Sequence, residues 1–429
     1  MGPGTMVESF TAQTSVITCD MNGIVQEYAA DAAALFGWSQ EEVLGKMSVA
    51  MFHVPKNVPT LVPRLLREAV EKGKFEEEVT LMRKDASTFR AVLTVRPMMR
   101  DGQQVGFMGM THPLGPPGNI PVGRLWVQAF RAPFLLASLI PGVVAGLAAW
   151  QAGYAIDLPY LGLALLGLAF IHMGTNMAND AWDFRSGNDL AVRHLNPFAG
   201  GGRVLFRGVL DPKAHLAVAI AFLALGSVIG LYFVFLAIGW PAGAPLLVLG
   251  ILGVTFSYFY VAPPFRLAHH GLGEIAVGLA FGPIAVLGTY FVLTRAFDPP
   301  AIVLSITFGL LVAGILWINE IPDIPADSSV GKRTVVVRLG ADRAAKLFGG
   351  IVIAAYAVLL AGVLLVALTP WALLAFLALP LAVKPIVGAR KAGGDPHALI
   401  PSNAGMILAT IVTGILIAVG LVVEGLVAS

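Results

Sequence analysis

Apolar stretches of membrane-spanning length recur along most of this chain, and they limit its fold more than any other feature. About 20 apolar residues are needed to cross roughly 30 Å of hydrocarbon. From Pro133 to the end of the 429-residue sequence, such stretches follow one another with short breaks. The sequence therefore predicts an all-α polytopic membrane protein with about nine spans, near residues 133–154, 158–182, 214–236, 243–262, 271–294, 301–319, 346–367, 370–388 and 403–427.

The composition supports a bilayer as the main surroundings of the chain. Hydrophobic residues make up 57% of the sequence and charged residues 13%, which is too apolar for an ordinary soluble protein of this length. The formal net charge is +2, and the basic residues are dispersed among predicted loops rather than gathered in a patch. This pattern argues against a nucleic-acid partner and indicates contact with membrane lipid.

The placement of basic residues predicts the orientation of the spans. The first 20 residues lack a basic start followed by an apolar core, so we expect no signal peptide and a cytosolic N-terminal region. The loops near residues 184–213, 263–270, 320–345 and 389–402 then face the cytosol and carry most of the basic residues of the membrane region. The opposite loops carry only Arg295, so the asymmetry predicts a multi-pass protein of the cytoplasmic (inner) membrane.

The N-terminal quarter has a different pattern, in which period-two alternation and turn residues predict an α/β unit. The order of its strands and helices resembles a PAS domain, through the motifs at residues 20–24, 35–46, 83–85 and 101–107. Such domains bind small ligands or mediate contacts, and the resemblance leaves open a small ligand or self-association. We assign no ligand, since the only cysteine, Cys19, and the lone His53 are both more typical of packing.

A glycine- and proline-rich segment separates the two regions. Residues 115–123 contain the run Gly-Pro-Pro-Gly-Asn-Ile-Pro, which cannot continue a helix or strand. The sequence thus predicts a PAS-like domain over residues 1–114, a linker over 115–123 and a membrane domain over 124–429. We expect the first domain to regulate the second, because they share one chain.

Two acidic clusters lie at the ends of predicted spans, where ionisable groups usually mark function. In the first cluster, helical geometry places two amides and two carboxylates within an arc of roughly 100°: Asn176, Asn179, Asp180 and Asp183. The second cluster has a spacing of four residues and consists of Asn319, Asp323 and Asp327. Two prolines within it disfavour a continuous helix past about residue 321.

Oxygen ligands without cysteine favour Mg²⁺, which keeps several waters and takes its remaining ligands from phosphate. Basic residues follow each cluster, namely Arg203 after the first and Lys332 and Arg333 after the second. Such groups neutralise the charge of a departing diphosphate. The pattern therefore predicts a magnesium-diphosphate site, with an apolar bundle that shelters an allylic carbocation from water.

With these motifs in place, the membrane region resembles the UbiA superfamily of prenyltransferases. The superfamily motif Asn-Asp-x-x-Asp-x-x-x-Asp matches Asn179, Asp180 and Asp183, but its last acid is replaced by Gly187, with Asp189 two residues later. That departure resembles the branch acting on 1,4-dihydroxy-2-naphthoate, as does the segment 260–290. The resemblance implies a UbiA-type bundle that transfers a polyprenyl group from its diphosphate to this aromatic acceptor, in menaquinone biosynthesis.

The resemblance also implies roles for individual residues. Catalysis and metal binding fall to Asp180, Asp183, Asp323 and Asp327, and substrate binding to Asn176, Asn179, Asn319, Arg203, Lys332 and Arg333. Glu274 either orients the aromatic substrate or caps a helix, and His172 is interpreted as a packing residue. The alternatives are a different prenyl acceptor, a membrane transporter or a PAS-regulated membrane sensor. A transporter predicts acids at mid-membrane, and a sensor predicts an output segment after the linker.

Overall fold

A computed structural model describes residues 15–100, 103–114, 126, 130–186, 205, 212–366 and 368–428. The chain forms two compact units, one containing the N-terminal sheet and the other the helical bundle. The predicted linker over residues 115–123 lies outside the described residues.

The N-terminal unit is a five-stranded antiparallel sheet with helices packed on one face. Its strands are β1 (Ser15–Asp20), β2 (Val25–Tyr28), β3 (Phe75–Met82), β4 (Thr88–Arg100) and β5 (Gln103–Leu114), in the order β2-β1-β5-β4-β3. Three helices lie between β2 and β3, namely α1 (Ala30–Phe36), α2 (Gln40–Val43) and α3 (Val58–Glu71). The predicted α/β order is confirmed for this unit.

Local sequence signals explain the turns of this unit. Asp20 Oδ1 accepts hydrogen bonds from the backbone N–H groups of Asn22 and Ile24, each at 2.9 Å, and Gly23 takes the left-handed conformation that the turn requires. At the start of α2, the backbone N–H of Ser39 donates to Glu42 Oε2 at 3.0 Å, which completes a capping box. The first motif makes the turn between β1 and β2, and the second determines where α2 begins.

The second unit is a bundle of apolar helices. Its helices are α4 (Leu136–Gln151), α5 (Leu158–Ser186), α6 (Pro212–Tyr232), α7 (Ala244–Phe259), α8 (Gly273–Leu279), α9 (Gly288–Thr294), α10 (Pro299–Glu320), α11 (Ile324–Ser329), α12 (Val335–Leu339), α13 (Ala341–Leu365), α14 (Leu379–Ala392) and α15 (Pro396–Ala428). A π-helical segment, Ala280–Leu287, joins α8 to α9, and a 3₁₀ segment, Pro370–Ala378, leads into α14.

Seven helical segments of the described chain are long and apolar enough to cross a membrane, and two further apolar helices, α4 and α7, are shorter. The fold is therefore that of a multi-pass membrane protein, whereas the count of nine spans stays a prediction. The two short helices occupy the first and fourth predicted spans. Each ends early for a local reason: Gly153 has a positive φ just past α4, and Pro263 and Pro264 follow α7 closely.

Small residues allow the helices around the site to approach closely. A Cβ added at Gly174 of α5 would lie 2.9 Å from the carbonyl oxygen of Ala219 on α6. A Cβ at Gly282, in the π-helical segment, would lie 2.3 Å from the carbonyl oxygen of Ser305 on α10. Because membrane helices associate by close packing of small residues, these glycines bring α6 against α5 and the π-helical segment against α10.

Candidate active site

A cavity with a volume of about 290 Å³ lies inside the bundle. It is enclosed by α4, α5, α7, α8, α10 and α15 together with the π-helical segment and the chain that follows α10. Near the C-terminal ends of α5 and α10 its lining is polar, and further along both helices its lining is apolar. The predicted clusters meet at the polar end, which is lined by Asn176, Asn179, Asp183, Asn319, Asp323, Asp327 and Lys332.

The first cluster presents one stripe of α5 to the cavity. Residues His172, Asn176, Asn179 and Asp183 follow spacings of four, three and four, which is the repeat that keeps side chains on one face of a helix. The two asparagines and the carboxylate predicted to bind substrate and metal therefore face the same space. Charges of Lys332 and Asp327 act on Asp183, so the two clusters are close neighbours.

Asp180 is the member of the first cluster that does not line the cavity. Its carboxylate accepts a hydrogen bond from Arg131 Nη2 in a buried ion pair. Arg131 itself lines the cavity. Helical spacing grouped Asp180 with its neighbours because all four side chains fall within a broad arc of the helix. In the structure Asp180 pairs with Arg131, which lies on another segment of the chain. The metal role of Asp180 stays a prediction, and we further propose that this carboxylate positions Arg131.

The second cluster lies on a broken helix and nevertheless converges on the cavity. α10 ends at Glu320, and α11 begins at Ile324 with Pro325 in its first turn, where proline is tolerated because that N–H has no helical partner. The backbone N–H of Asp327 donates to the carbonyl oxygen of Asp323 at 2.8 Å. The break thus redirects the chain so that Asp323 and Asp327 both reach the cavity.

Lys332 supplies a positive charge to this end of the cavity. Its Nζ lies 3.3 Å from Asp327 Oδ1, and its backbone N–H donates to the carbonyl oxygen of Asp327 at 2.9 Å. Burial lowers the pKa of Lys332, but the charges of Asp327 and Asp183 more than offset this, so its pKa is raised above the ordinary value. The ammonium therefore remains charged beside the carboxylates.

Glu274 and Arg333 do not line the cavity. Glu274 is buried, and its Oε1 accepts a hydrogen bond from the backbone N–H of Val335 at 2.7 Å, in the first turn of α12. Of the two roles left open by the sequence, this contact favours helix capping. Arg333 is exposed, and its backbone N–H donates to the carbonyl oxygen of His269 at 3.1 Å. The remaining predicted contact, Arg203, lies outside the described residues, as does Asp189.

Some polar residues that line the cavity or contact its lining were not given a role by sequence reasoning. Tyr260 and Glu320 line the polar end. Asn403, on α15, donates from Nδ2 to Asn319 Oδ1 and, at 3.2 Å, to the carbonyl oxygen of Ile318. A polar pair at the start of a largely apolar span, Ser402 and Asn403, was the available signal for α15. Asn403 orients the amide of Asn319 toward the cavity.

The donor set fits a metal-diphosphate group. Within the described residues no three acidic, histidine or cysteine side chains are already gathered to hold an ion. Mg²⁺, however, is commonly held by one or two carboxylates, with waters and substrate phosphates as its other ligands. Buried polar atoms normally have a hydrogen-bond partner. Within the described part of the chain, some buried polar atoms at this end of the cavity have none, including Asn176 Nδ2, Asn179 Oδ1 and Asp327 Oδ2. These atoms are available to a bound group.

Fold and cavity together define a class, that of polytopic membrane proteins with a carboxylate-lined cavity between their helices. Residues 138–394 match the model of the UbiA prenyltransferase family, and residues 5–114 match that of the PAS fold. The chain belongs to the UbiA prenyltransferase family and carries an N-terminal PAS domain. It is therefore a membrane prenyltransferase, and the predicted fold class is confirmed.

Two relatives of this chain carry the same name. The 1,4-dihydroxy-2-naphthoate octaprenyltransferase of Mycobacterium tuberculosis H37Rv is 32% identical over 64% of this chain and 89% of its own length. The enzyme of the same name from Bacillus subtilis 168 is 28% identical over 62% of this chain and 82% of its own. Among solved structures, an apo UbiA homologue from Aeropyrum pernix K1 has a TM-score of 0.48 at 19% identity, covering 68% of this chain and 97% of that one.

Proposed function

We propose that this protein transfers a polyprenyl group from polyprenyl diphosphate to 1,4-dihydroxy-2-naphthoate, with loss of the carboxylate as CO₂, in menaquinone biosynthesis. One observation carries the proposal: amides and carboxylates of α5 and of the α10–α11 segment line the polar end of a single cavity whose remaining walls are apolar. A charged diphosphate and a hydrocarbon chain on one molecule need these two environments side by side.

The polar end would bind the diphosphate. Asp183, Asp323 and Asp327 would hold Mg²⁺, which would neutralise the phosphate oxygens and assist departure of the diphosphate. Asn176 and Asn179 offer amide groups to phosphate oxygens or metal-bound waters, and both contribute partnerless polar atoms within the described chain. Lys332 and Arg131 add positive charge where the leaving group gathers negative charge.

The apolar walls would hold the prenyl chain and protect the reacting carbon from water. Leu168, Ile171, Val312 and Ile315 are among the side chains that line the cavity beyond the polar end. When the C–O bond of the allylic diphosphate breaks, a carbocation is left that water would quench. A dry apolar site leaves the aromatic acceptor as the available electron-rich partner.

The acceptor assignment is supported by relatives named for 1,4-dihydroxy-2-naphthoate, which this chain covers over most of their length. Another quinone precursor or a lipid acceptor would use the same diphosphate end of the cavity. The identity of the acceptor is therefore a separate and more specific claim than the diphosphate site. We further propose that the polar end opens toward the cytosol in the cytoplasmic membrane, since the basic loops predicted for that side follow both clusters.

The proposal is tested with the full chain in membranes or nanodiscs. We expect product from polyprenyl diphosphate and 1,4-dihydroxy-2-naphthoate, complete loss of turnover on chelation and recovery with added Mg²⁺. Mass spectrometry of the product and capture of released CO₂ measure the transfer and the decarboxylation. Turnover with other phenolic acids but none with the dihydroxynaphthoate would reject the acceptor. Turnover that resists chelation would reject the metal site.

A further inference from the structure

His172 lies one turn along α5 from Asn176, the nearest of the predicted diphosphate ligands on this helix, and further from the polar end of the cavity. It precedes Asn176 by four residues on the same stripe of α5, which is a rise of about 6 Å along the helix axis. With the diphosphate at Asn176 and Asp183, the reactive carbon of the prenyl group would lie at the depth of His172. The imidazole lines the cavity at that depth.

The ring of His172 is held in one orientation by two contacts. Its Nδ1 lies 2.9 Å from Ser138 Oγ on α4, and its ring meets Phe281 edge-on, with centroids 5.0 Å apart. Ser138 Oγ donates its only hydrogen to the carbonyl oxygen of Leu135 at 3.0 Å. With the hydroxyl hydrogen directed to Leu135, the matching tautomer of His172 carries its proton on Nδ1 and keeps the lone pair of Nε2 free to accept, and we assign this tautomer.

The second ring nitrogen is available to a ligand. Within the described residues, Nε2 of His172 forms no hydrogen bond. This atom is also not fully buried, so a molecule in the cavity can reach it. The side chain as a whole is buried, and no carboxylate hydrogen-bonds to it in the described chain. Because an unpaired buried charge is costly, the neutral ring is favoured, with Nε2 as a hydrogen-bond acceptor in an apolar wall.

We propose that His172 binds the aromatic acceptor, with Nε2 accepting the hydrogen of the ring hydroxyl beside the carbon that is prenylated. Ser138 is the positioning residue that fixes the imidazole. The inference rests on the proposed function, because it places the acceptor relative to the diphosphate. It assigns a role to a histidine that the sequence pattern alone interprets as packing.

The step balances as follows. The C–O bond of the prenyl diphosphate breaks, and its electron pair leaves with the diphosphate. The ring carbon that bears the carboxylate forms the new C–C bond, while the neighbouring hydroxyl becomes a ketone and its proton moves to Nε2 of His172. Loss of CO₂ from the resulting β-keto acid returns an electron pair to the ring, and the proton returns to the oxygen. His172 takes up one proton and returns it within the same turnover, so no other reactant is needed.

Three variants in nanodiscs test this role: His172→Phe, His172→Gln and Ser138→Ala. We expect His172→Phe to lower kcat/KM for the acceptor at least about 100-fold, the range of a lost acid–base group. His172→Gln keeps an oxygen acceptor without basicity, so KM for the acceptor recovers while kcat stays about tenfold low. For Ser138→Ala we expect about a fivefold loss of kcat/KM for the acceptor. The matched control is Ser227→Ala, whose hydroxyl bonds its own helix at the carbonyl of Leu223 at 2.7 Å.

A binding measurement separates this role from simple packing. In the wild type, 1-hydroxy-2-naphthoate should inhibit about fivefold more strongly than 2-naphthoate, as one hydrogen bond would give. In His172→Phe that ratio should fall to about one, while the Kd of an unreactive prenyl thiolodiphosphate with Mg²⁺ stays within about twofold of wild type. Equal loss of thiolodiphosphate binding, or an unchanged inhibitor ratio, would overturn the assignment.

Failure of the proposed function has a different signature. If the wild-type protein neither binds the thiolodiphosphate with Mg²⁺ nor prenylates 1,4-dihydroxy-2-naphthoate, the diphosphate site itself is wrong. If it does both and His172→Phe retains wild-type kcat and KM for the acceptor, only the role of His172 is wrong. Melting curves of each variant in nanodiscs identify a misfolded protein. If His172→Phe is misfolded, the kinetics of His172→Gln test the role of His172 in its place.

Discussion

Each unit of the described chain contains a cavity, and a comparison of these two cavities shows what makes one of them a reaction site. The cavity of the PAS domain measures about 60 Å³ and lies between the sheet and α3. Its lining is mostly apolar, and among the described residues His53 and Cys19 are the ionisable side chains that line it. The cavity of the bundle measures about 290 Å³ and adds carboxylates, amides and a lysine to a similar apolar wall.

The two histidines sharpen the contrast. His53 and His172 are both buried beside phenylalanines. His172 lies one turn from Asn176, in a cavity whose polar end carries charged groups, whereas no charged side chain of the described residues lines the cavity of His53. Burial alone therefore does not define the reaction site. What defines it is a set of charges from separate helices that meet at one end of an apolar space, because such charges are costly unless a ligand or partner uses them.

The largest expected effect is on turnover, when a carboxylate of the bundle cavity is removed. Asp183→Ala and Asp323→Ala should each lower kcat at least about 100-fold, because each carboxylate supports the charge that develops on the leaving diphosphate. Steady-state assays in nanodiscs measure this loss. Asp342→Ala is the control, since Asp342 is exposed on α13 and pairs with Lys346 at 2.8 Å. Wild-type turnover in either cavity variant would remove the distinction between the two cavities.

A smaller effect is expected for the buried pair between Asp180 and Arg131. Asp180→Ala leaves the guanidinium without its carboxylate, which should lower the free energy of unfolding by about 2 kcal/mol. The double variant Asp180→Leu with Arg131→Met should recover most of that loss but not the turnover, since Arg131 lines the cavity. Denaturant titrations in detergent measure the stability. If Asp180→Ala abolished Mg²⁺-dependent substrate binding without changing stability, Asp180 would be a direct ligand instead.

The smallest effect concerns the PAS cavity and is a dependence of stability on pH. Burial lowers the pKa of His53 to about 4, well below its ordinary value in an unfolded chain. The unfolded state therefore binds a proton first, so stability is complete above about pH 6.5 and is lost as the pH falls toward 4. Between pH 7.5 and 6 we expect a loss of about 1 kcal/mol in this domain.

Hydrogen exchange of the β1 and β5 amides in the full chain, corrected for intrinsic rates, measures that pH dependence. His53→Gln should remove it. The exposed His270 outside this domain gives a matched control, because His270→Gln should leave the exchange of β1 and β5 unchanged. A pH dependence that survives in His53→Gln would show that another group titrates, and the comparison of the two histidines would then have to be redrawn.

Sequence reasoning located the acidic clusters but could not select among their members. Spacing alone placed Asp180 and Asp183 on one face of α5, yet only Asp183 lines the cavity, because Arg131 pairs with Asp180. The prolines after α10 weakened the case for Asp327, yet the chain resumes as α11 and carries this carboxylate to the cavity. Both differences arise from contacts with segments far away in sequence, which no local repeat records.

The sequence by itself determined the membrane region, the α/β order of the N-terminal domain and the face of α5 that bears Asn176, Asn179 and Asp183. These follow from local rules, namely hydrophobic length, period-two alternation and 3.6 residues per turn. Only the tertiary structure decided that Arg131 pairs with Asp180 and that Ser138 orients His172. Such partners depend on how close glycine-lined helices approach one another, and that distance is set by packing across the whole bundle.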